Sequence, residues 1–147
     1  LRNSRVTITI FFDGSSRGNP GHSGAGAVVF KDDKILTLLS KYIGVGTNNV
    51  AEYRSLKEVL MKLESLISDK SNTVILLKSD SELVVNQMKG RYKIKNHKLI
   101  TLYKSIGKFL DHYKDWDIES IPREKNKTAD ALANAAVDNA LRGMEKR

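Results

Sequence analysis

Residues 6–12 (Val-Thr-Ile-Thr-Ile-Phe-Phe) make a nearly continuous β-branched and aromatic run that stops at Asp13-Gly14. A run of this kind has little use for water on either side and reads as a buried central strand. The rest of the chain has to supply its neighbours and its cover. Gly26 to Phe30 reads as a second strand, Asp32-Asp33 as a turn, and Lys34 to Ile43 as a third strand, which together predict an antiparallel meander. Between the first two strands the glycines and a proline crowd together (Gly14, Gly18, Pro20, Gly21, Gly24), so Gly14 to Gly24 is expected to be a glycine-rich loop.

After residue 47 the pattern changes period. Val50, Tyr53, Leu56, Leu60, Leu63 and Ile67 step by 3, 3, 4, 3 and 4, one face of a helix over Asn48 to Ile67. Val74 to Leu77 reads as a fourth strand ending at Ser79-Asp80, and Ser81 to Met88 as a short helix with Gly90 as its stop. Asn96 to Tyr113 is a second long helix, Trp116 to Ile121 a fifth strand, and Lys127 to Leu141 a final helix with Ala129, Leu132, Ala133, Ala136, Val137 and Ala140 inward. The reading is α/β, one domain over residues 1–147, with its core at about 6–141 and a charged, frayed tail at 142–147.

Composition narrows the chemistry. With no cysteine there is no disulfide scaffold, thiol nucleophile or cysteine metal site. No apolar stretch approaches a membrane span, and Leu1 to Ile10 has no leader-like core, which suggests a cytoplasmic protein. Leu1 is not Met, so initial residues are expected to be missing or foreign. A formal charge of +8 favours a polyanionic partner, nucleic acid first.

Four acidic residues stand at comparable places. Asp13 ends strand one, Asp80 ends strand four, and Glu52 and Asp130 fall in the first turns of the first and last helices. If strands one and four are parallel neighbours, Asp13 and Asp80 leave the sheet at one carboxyl edge, where helix starts also gather. Each has a plain structural reading. Glu52 completes a capping box with Asn49, Asp80 caps the next helix, Asp130 favours a helix N-terminus, and Asp13 is a turn residue. Together, four converging carboxylates repel one another unless a cation intervenes, and an oxygen-only donor set selects a hard ion, most naturally Mg²⁺. Carboxylates, Mg²⁺ and a polyanion suggest two-metal phosphodiester chemistry.

Four local motifs make this specific. Asp13-Gly14-Ser15-Ser16-Arg17-Gly18-Asn19-Pro20-Gly21 resembles the first motif of type 1 ribonuclease H, and Thr47-Asn48-Asn49-Val50-Ala51-Glu52-Tyr53 resembles the second. Ser79-Asp80-Ser81 resembles the third, and Ile121-Pro122-Arg123-Glu124-Lys125-Asn126-Lys127-Thr128-Ala129-Asp130 the fourth. They occur in family order and the resemblance covers about residues 6–141. It implies a ribonuclease H-like five-stranded mixed sheet, its first three strands antiparallel, flanked by helices. It also implies cleavage of the RNA strand of an RNA/DNA hybrid to 5′-phosphate and 3′-hydroxyl ends, with two Mg²⁺ ions (Mn²⁺ as a substitute) present with substrate. By the same resemblance Asp13, Glu52, Asp80 and Asp130 are catalytic metal ligands, and Gly14, Ser15, Ser16, Asn19, Asn48, Asn49 and Ser81 contact substrate. A monomer without membrane association is expected.

Two departures mark the subgroup typical of archaeal and some bacterial enzymes. The loop before Asp130 has no histidine; Arg123, seven residues earlier, fits the arginine of that subgroup and is assigned a catalytic role in binding phosphate or steadying water, with a surface pair to Glu124 as the plain reading. The basic helical protrusion of the bacterial prototype is replaced by the short segment Lys89 to Lys98, whose Lys89, Arg91, Lys93, Lys95 and Lys98 reach the DNA strand or form a solvated face. Glu82 replaces an amide and carries no binding role. His22, His97 and His112 have no metal-ligand spacing. A hybrid-binding domain that does not cut, and a DNA nuclease of the same fold group, remain open beside the main reading.

Overall fold

The computed structural model describes residues 5–146, leaving 1–4 of the segment read for a leader and 147 of the charged tail outside the described residues. The run at residues 6–12 opens β1 (Val6–Gly18), followed by β2 (Gly21–Lys31), β3 (Lys34–Gly46) and α1 (Asn48–Leu63). Then come β4 (Thr73–Ser79), α2 (Glu82–Met88), α3 (His97–Leu110), β5 (Asp115–Ser120) and α4 (Lys127–Glu145), with single 3₁₀ turns at Lys70–Asn72 and Arg123–Lys125. The sheet order is β3-β2-β1-β4-β5, so β1 is central as its composition demands. β1–β2 and β2–β3 are antiparallel, whereas β4 joins β1 in parallel and β5 joins β4 in parallel. Among the described residues no helix is long and apolar enough to cross a membrane.

Alternation along the strands divides the cover. Ile8, Ile10 and Phe12 of β1, Ile75 and Leu77 of β4 and Ile118 of β5 are fully buried with Tyr53, Leu56, Leu60 and Leu63 of α1 and Ile106 and Leu110 of α3. Each such side chain contributes about 1.5–3 kcal/mol by leaving water. Tyr53 and Gln87 lie inside this core and satisfy each other, the tyrosine hydroxyl donating to Gln87 Oε1 at 2.7 Å. α4 takes the other face through Ala129, Ala133, Ala136 and Val137.

Three expectations need correction. Gly14 to Gly24 is not a loop: β1 and β2 continue as a paired hairpin to Gly18↔Gly21, turning through the cis Asn19–Pro20 peptide. The glycines there serve approach rather than chain reversal. A Cβ on Gly26 would stand 2.0 Å from the Ala129 carbonyl oxygen, and one on Gly24 2.1 Å from that of Ala133, so only bare backbone lets α4 sit this low on β2. α1 stops at Leu63 instead of Ile67, because the Leu66 and Ile67 N–H groups both turn back to the Leu63 carbonyl; Ile67 stays buried, which kept its place in the periodicity. α4 runs through Glu145, past the Leu141 end expected for it, so residues 142–145 are helical. The other boundaries shift by no more than a turn.

Candidate active site

β1 and β4 run in parallel as far as Phe11↔Lys78, and Asp13 and Asp80 lie just beyond that last pair, at one carboxyl edge. Glu52 comes to them from α1. It is the fifth residue of that helix, just past the first turn in which the sequence reading put it. A Cβ on Gly14 would stand 2.3 Å from the Ala51 carbonyl carbon, so glycine beside Asp13 is what lets α1 close on β1. One carboxylate oxygen from each of Asp13, Glu52 and Asp80 lies within 4.8 Å of the others.

The plain readings of these residues fail on capping geometry. Thr47 caps α1, its hydroxyl accepting from Val50 N–H at 3.3 Å, so Glu52 and Asn49 form no capping box. Ser81 caps α2 by accepting from Val84 N–H at 3.3 Å, which leaves Asp80 free of that duty. With both helix starts satisfied, the carboxylates are surplus to local structure.

Their electrostatics are unfavourable as they stand. Asp13 is 6% exposed and Glu52 9%. Burial lifts the Asp13 carboxyl from 3.8 to about 7, and the Asp80 and Asp130 charges push it the same way while its hydrogen bond with Glu52 opposes them. Glu52 is held well above the usual carboxylate range, first by burial and then by the Asp13 charge, with the Gly14 N–H partly offsetting both. Glu52 Oε2 is buried without a hydrogen-bond partner. Among the described residues no lysine, arginine or histidine forms an ion pair with any of the four carboxylates. An oxygen-only, uncompensated cluster with two of its carboxylates buried fits a hard divalent cation.

Asp130 stands apart from this trio. It is exposed, on the first turn of α4, but its charge acts on Asp13 and it lines the same cleft of about 430 Å³. The cleft walls also carry Gly14, Ser15, Ser16, Asn48, Asn49, Ser81 and Arg123. Arg123 opens the 3₁₀ turn before α4 and makes no ion pair with Glu124. Asn19 is beside the cleft rather than in it: its side chain accepts from Asn48 N–H at 3.0 Å and fixes the start of α1. Both serine hydroxyls have acceptors within the chain, Ser15 in Asn134 Oδ1 at 2.8 Å and Ser16 in the Gly18 and Gly46 carbonyls at 2.5 and 2.9 Å, so toward a ligand they can only accept. His22 is bonded to the Tyr42 hydroxyl at 2.7 Å, outside the cleft, and the exposed cations Lys89, Arg91, Lys93 and Lys95 lie on the α2–α3 connection, with Lys98 exposed in the first turn of α3.

Sequence reading missed two amides. Asn126 is 1% exposed, and its Nδ2 donates to the Phe12 carbonyl at 3.0 Å and to Asp80 Oδ2 at 3.1 Å, tying β4's carboxylate to β1. Asn134 donates to Asp130 Oδ1 at 3.1 Å. The second was readable, since an amide four residues after a carboxylate shares its helix face. The first depends on a fold-level juxtaposition and left no local signal.

The family model described as "Reverse transcriptase-like" matches residues 11–136. The bifunctional protein Rv2228c of Mycobacterium tuberculosis is 41% identical over 137 residues, covering 92% of this chain and 36% of that protein. Ribonuclease HI of Halobacterium salinarum is 38% identical over 134 residues, covering 90% of this chain and 65% of that protein. The chain thus spans about a third of the mycobacterial relative and under two thirds of the halobacterial one. Among solved structures, LC11-RNase H1, isolated from compost, superposes with a TM-score of 0.86 at 39% identity over 92% of this chain and 98% of its own. The same enzyme in complex with an RNA/DNA hybrid superposes at 0.77 with 38% identity, over 91% of this chain and 99% of its own. A central strand that carries a buried carboxylate just past its pairing with β4, a sheet of this order and relatives of this similarity lead to one conclusion: the chain belongs to the type 1 ribonuclease H family.

Proposed function

We propose that this domain hydrolyses the RNA strand of an RNA/DNA hybrid with two divalent cations, Mg²⁺ by preference, leaving 5′-phosphate and 3′-hydroxyl ends. The observation that carries the reading is the trio Asp13, Glu52 and Asp80, one oxygen of each within 4.8 Å of the others, the first two buried and the third half-buried, lining a polar cleft with no cationic side chain among the described residues paired to them. Asp13, Glu52, Asp80 and Asp130 would hold the ions. When bound, these ions neutralise the phosphate, activate water and stabilise the leaving oxygen.

The chain's own groups do the rest. Gly14 lines the cleft with backbone alone, its missing Cβ leaving room for α1 and so for Glu52. Ser15 and Ser16 have their protons committed elsewhere, so each offers only lone pairs, suited to accept from a 2′-hydroxyl. Asn48, Asn49 and Ser81 also line the cleft and supply further polar contacts. Asn126 keeps the Asp80 carboxylate aimed into the cleft. Arg123, permanently charged, binds a phosphate oxygen and does not serve as the base.

The test is cleavage of end-labelled hybrid, duplex DNA, duplex RNA and single strands in Mg²⁺, with end analysis of the products. Hybrid-restricted cutting with 5′-phosphate ends, lost in Asp80→Asn and in EDTA, is expected. Equal cutting of all substrates refutes the specificity, and tight hybrid binding without turnover makes the domain a binding module.

A further inference from the structure

Asp130 lies outside the Asp13–Glu52–Asp80 trio on an exposed helix turn, where packing does not fix its side chain. A relay of polar groups holds it. Asn134, one turn along α4, donates from Nδ2 to Asp130 Oδ1 at 3.1 Å and to the Asp130 carbonyl at 3.0 Å. The other end of the amide, Oδ1, accepts from Ser15 Oγ at 2.8 Å and from Arg17 Nη2 at 3.2 Å. Arg17 also donates to the Asn134 carbonyl at 3.3 Å and pairs with Asp138 Oδ1 at 2.9 Å. The orientation of the amide is forced, because a guanidinium only donates and a carboxylate only accepts.

Most of these contacts are exposed and add little to folding stability, so the relay is not explained by the core. Its ends explain it better. One is the carboxylate beside Asp13, and the other is the stretch of β1 that faces the cleft.

We propose that Asn134 is a positioning residue for Asp130, with Ser15 and Arg17 tethering it to β1, so that the substrate-facing strand and the fourth carboxylate are set as one unit. The inference deepens the proposed function and rests on Asp130 belonging to the reaction centre.

Two variants separate positioning from mere structure. Asn134→Asp keeps an acceptor for Ser15 and Arg17 but loses the donor to Asp130. Asn134→Ala loses both. Each is expected to lower kcat about tenfold and raise the Mg²⁺ concentration for half-maximal cleavage several-fold, as loss of an outer partner of a metal-binding carboxylate does. The KM for hybrid should stay within about twofold and the melting temperature within about 3 °C, since the relay is exposed. Wild-type kinetics and Mg²⁺ dependence in either variant overturn the proposal. If the parent protein cuts no hybrid, the proposed function fails by itself. Calorimetric Mg²⁺ affinity of Asn134→Ala then decides: weaker binding supports the relay, and unchanged binding overturns it.

Discussion

In the metal-free protein, replacing Asp13 by Asn should stabilise the fold, and by an amount that depends on pH. Asp13 titrates near 3.8 when exposed and near 7 in the fold, where burial and the Asp80 and Asp130 charges favour its protonated form. The folded state therefore holds more proton than the unfolded state between those values, and stability falls as pH rises through that window. At 1.36 kcal/mol per pH unit the loss reaches about 4 kcal/mol by pH 7 and grows no further above it. Asparagine has no charge to bury, and its amide can donate to Glu52, which Asp13 already faces. Thermal melts in EDTA at intervals from pH 4 to pH 8 measure the difference. The two proteins should melt together near pH 4 and differ by roughly 10 °C at pH 7, at about 3 °C per kcal/mol for a domain of this size. Mg²⁺ should reverse the order by binding only the parent. A melting difference independent of pH, or a parent more stable than the variant in EDTA at pH 7, would refute the claim that this carboxylate is an uncompensated buried charge.

Three further substitutions probe the framework. Gly26→Ala places a Cβ 2.0 Å from the Ala129 carbonyl oxygen and 2.5 Å from the Ala133 nitrogen, both backbone, so α4 must lift. A loss of about 3 kcal/mol in urea unfolding is expected, with a fall in cleavage because Asp130 rides on that helix. Asn126→Ala removes a buried bond to the Phe12 carbonyl and one to Asp80 and should cost about 2 kcal/mol while weakening calorimetric Mg²⁺ binding. Tyr53→Phe leaves Gln87 Oε1 without its 2.7 Å donor inside the core. It should lower unfolding free energy by about 1–2 kcal/mol and leave the Mg²⁺ dependence of cleavage unchanged.

What the sequence determined by itself was the order of elements and the identity of the acidic residues. Val6 to Phe12 had to be central because its run of β-branched and aromatic side chains favours cover on both faces, though Thr7, Thr9 and Phe11 stay only half-buried. The 3.6-residue period of Val50 to Leu63 had to be a helix lying on it. The motifs at Asp13, Glu52, Asp80 and Asp130 could be read from local spacing, because strand ends and helix starts leave local marks. Tertiary structure decided what those marks mean. Glycines at 14, 24 and 26 look like loop residues in one dimension and are points of backbone contact in three, since a missing Cβ matters only when another element arrives opposite it. The same holds for Asn126, whose amide joins β1 to β4 across 114 and 46 residues of chain. It holds also for the caps, where Thr47 and Ser81, and neither Asn49 nor Asp80, satisfy the helix starts. Burial, and with it the raised affinity of Asp13 and Glu52 for protons, is a property of the assembled sheet and helices. No single segment contains it, because desolvation is done by neighbours distant in the chain.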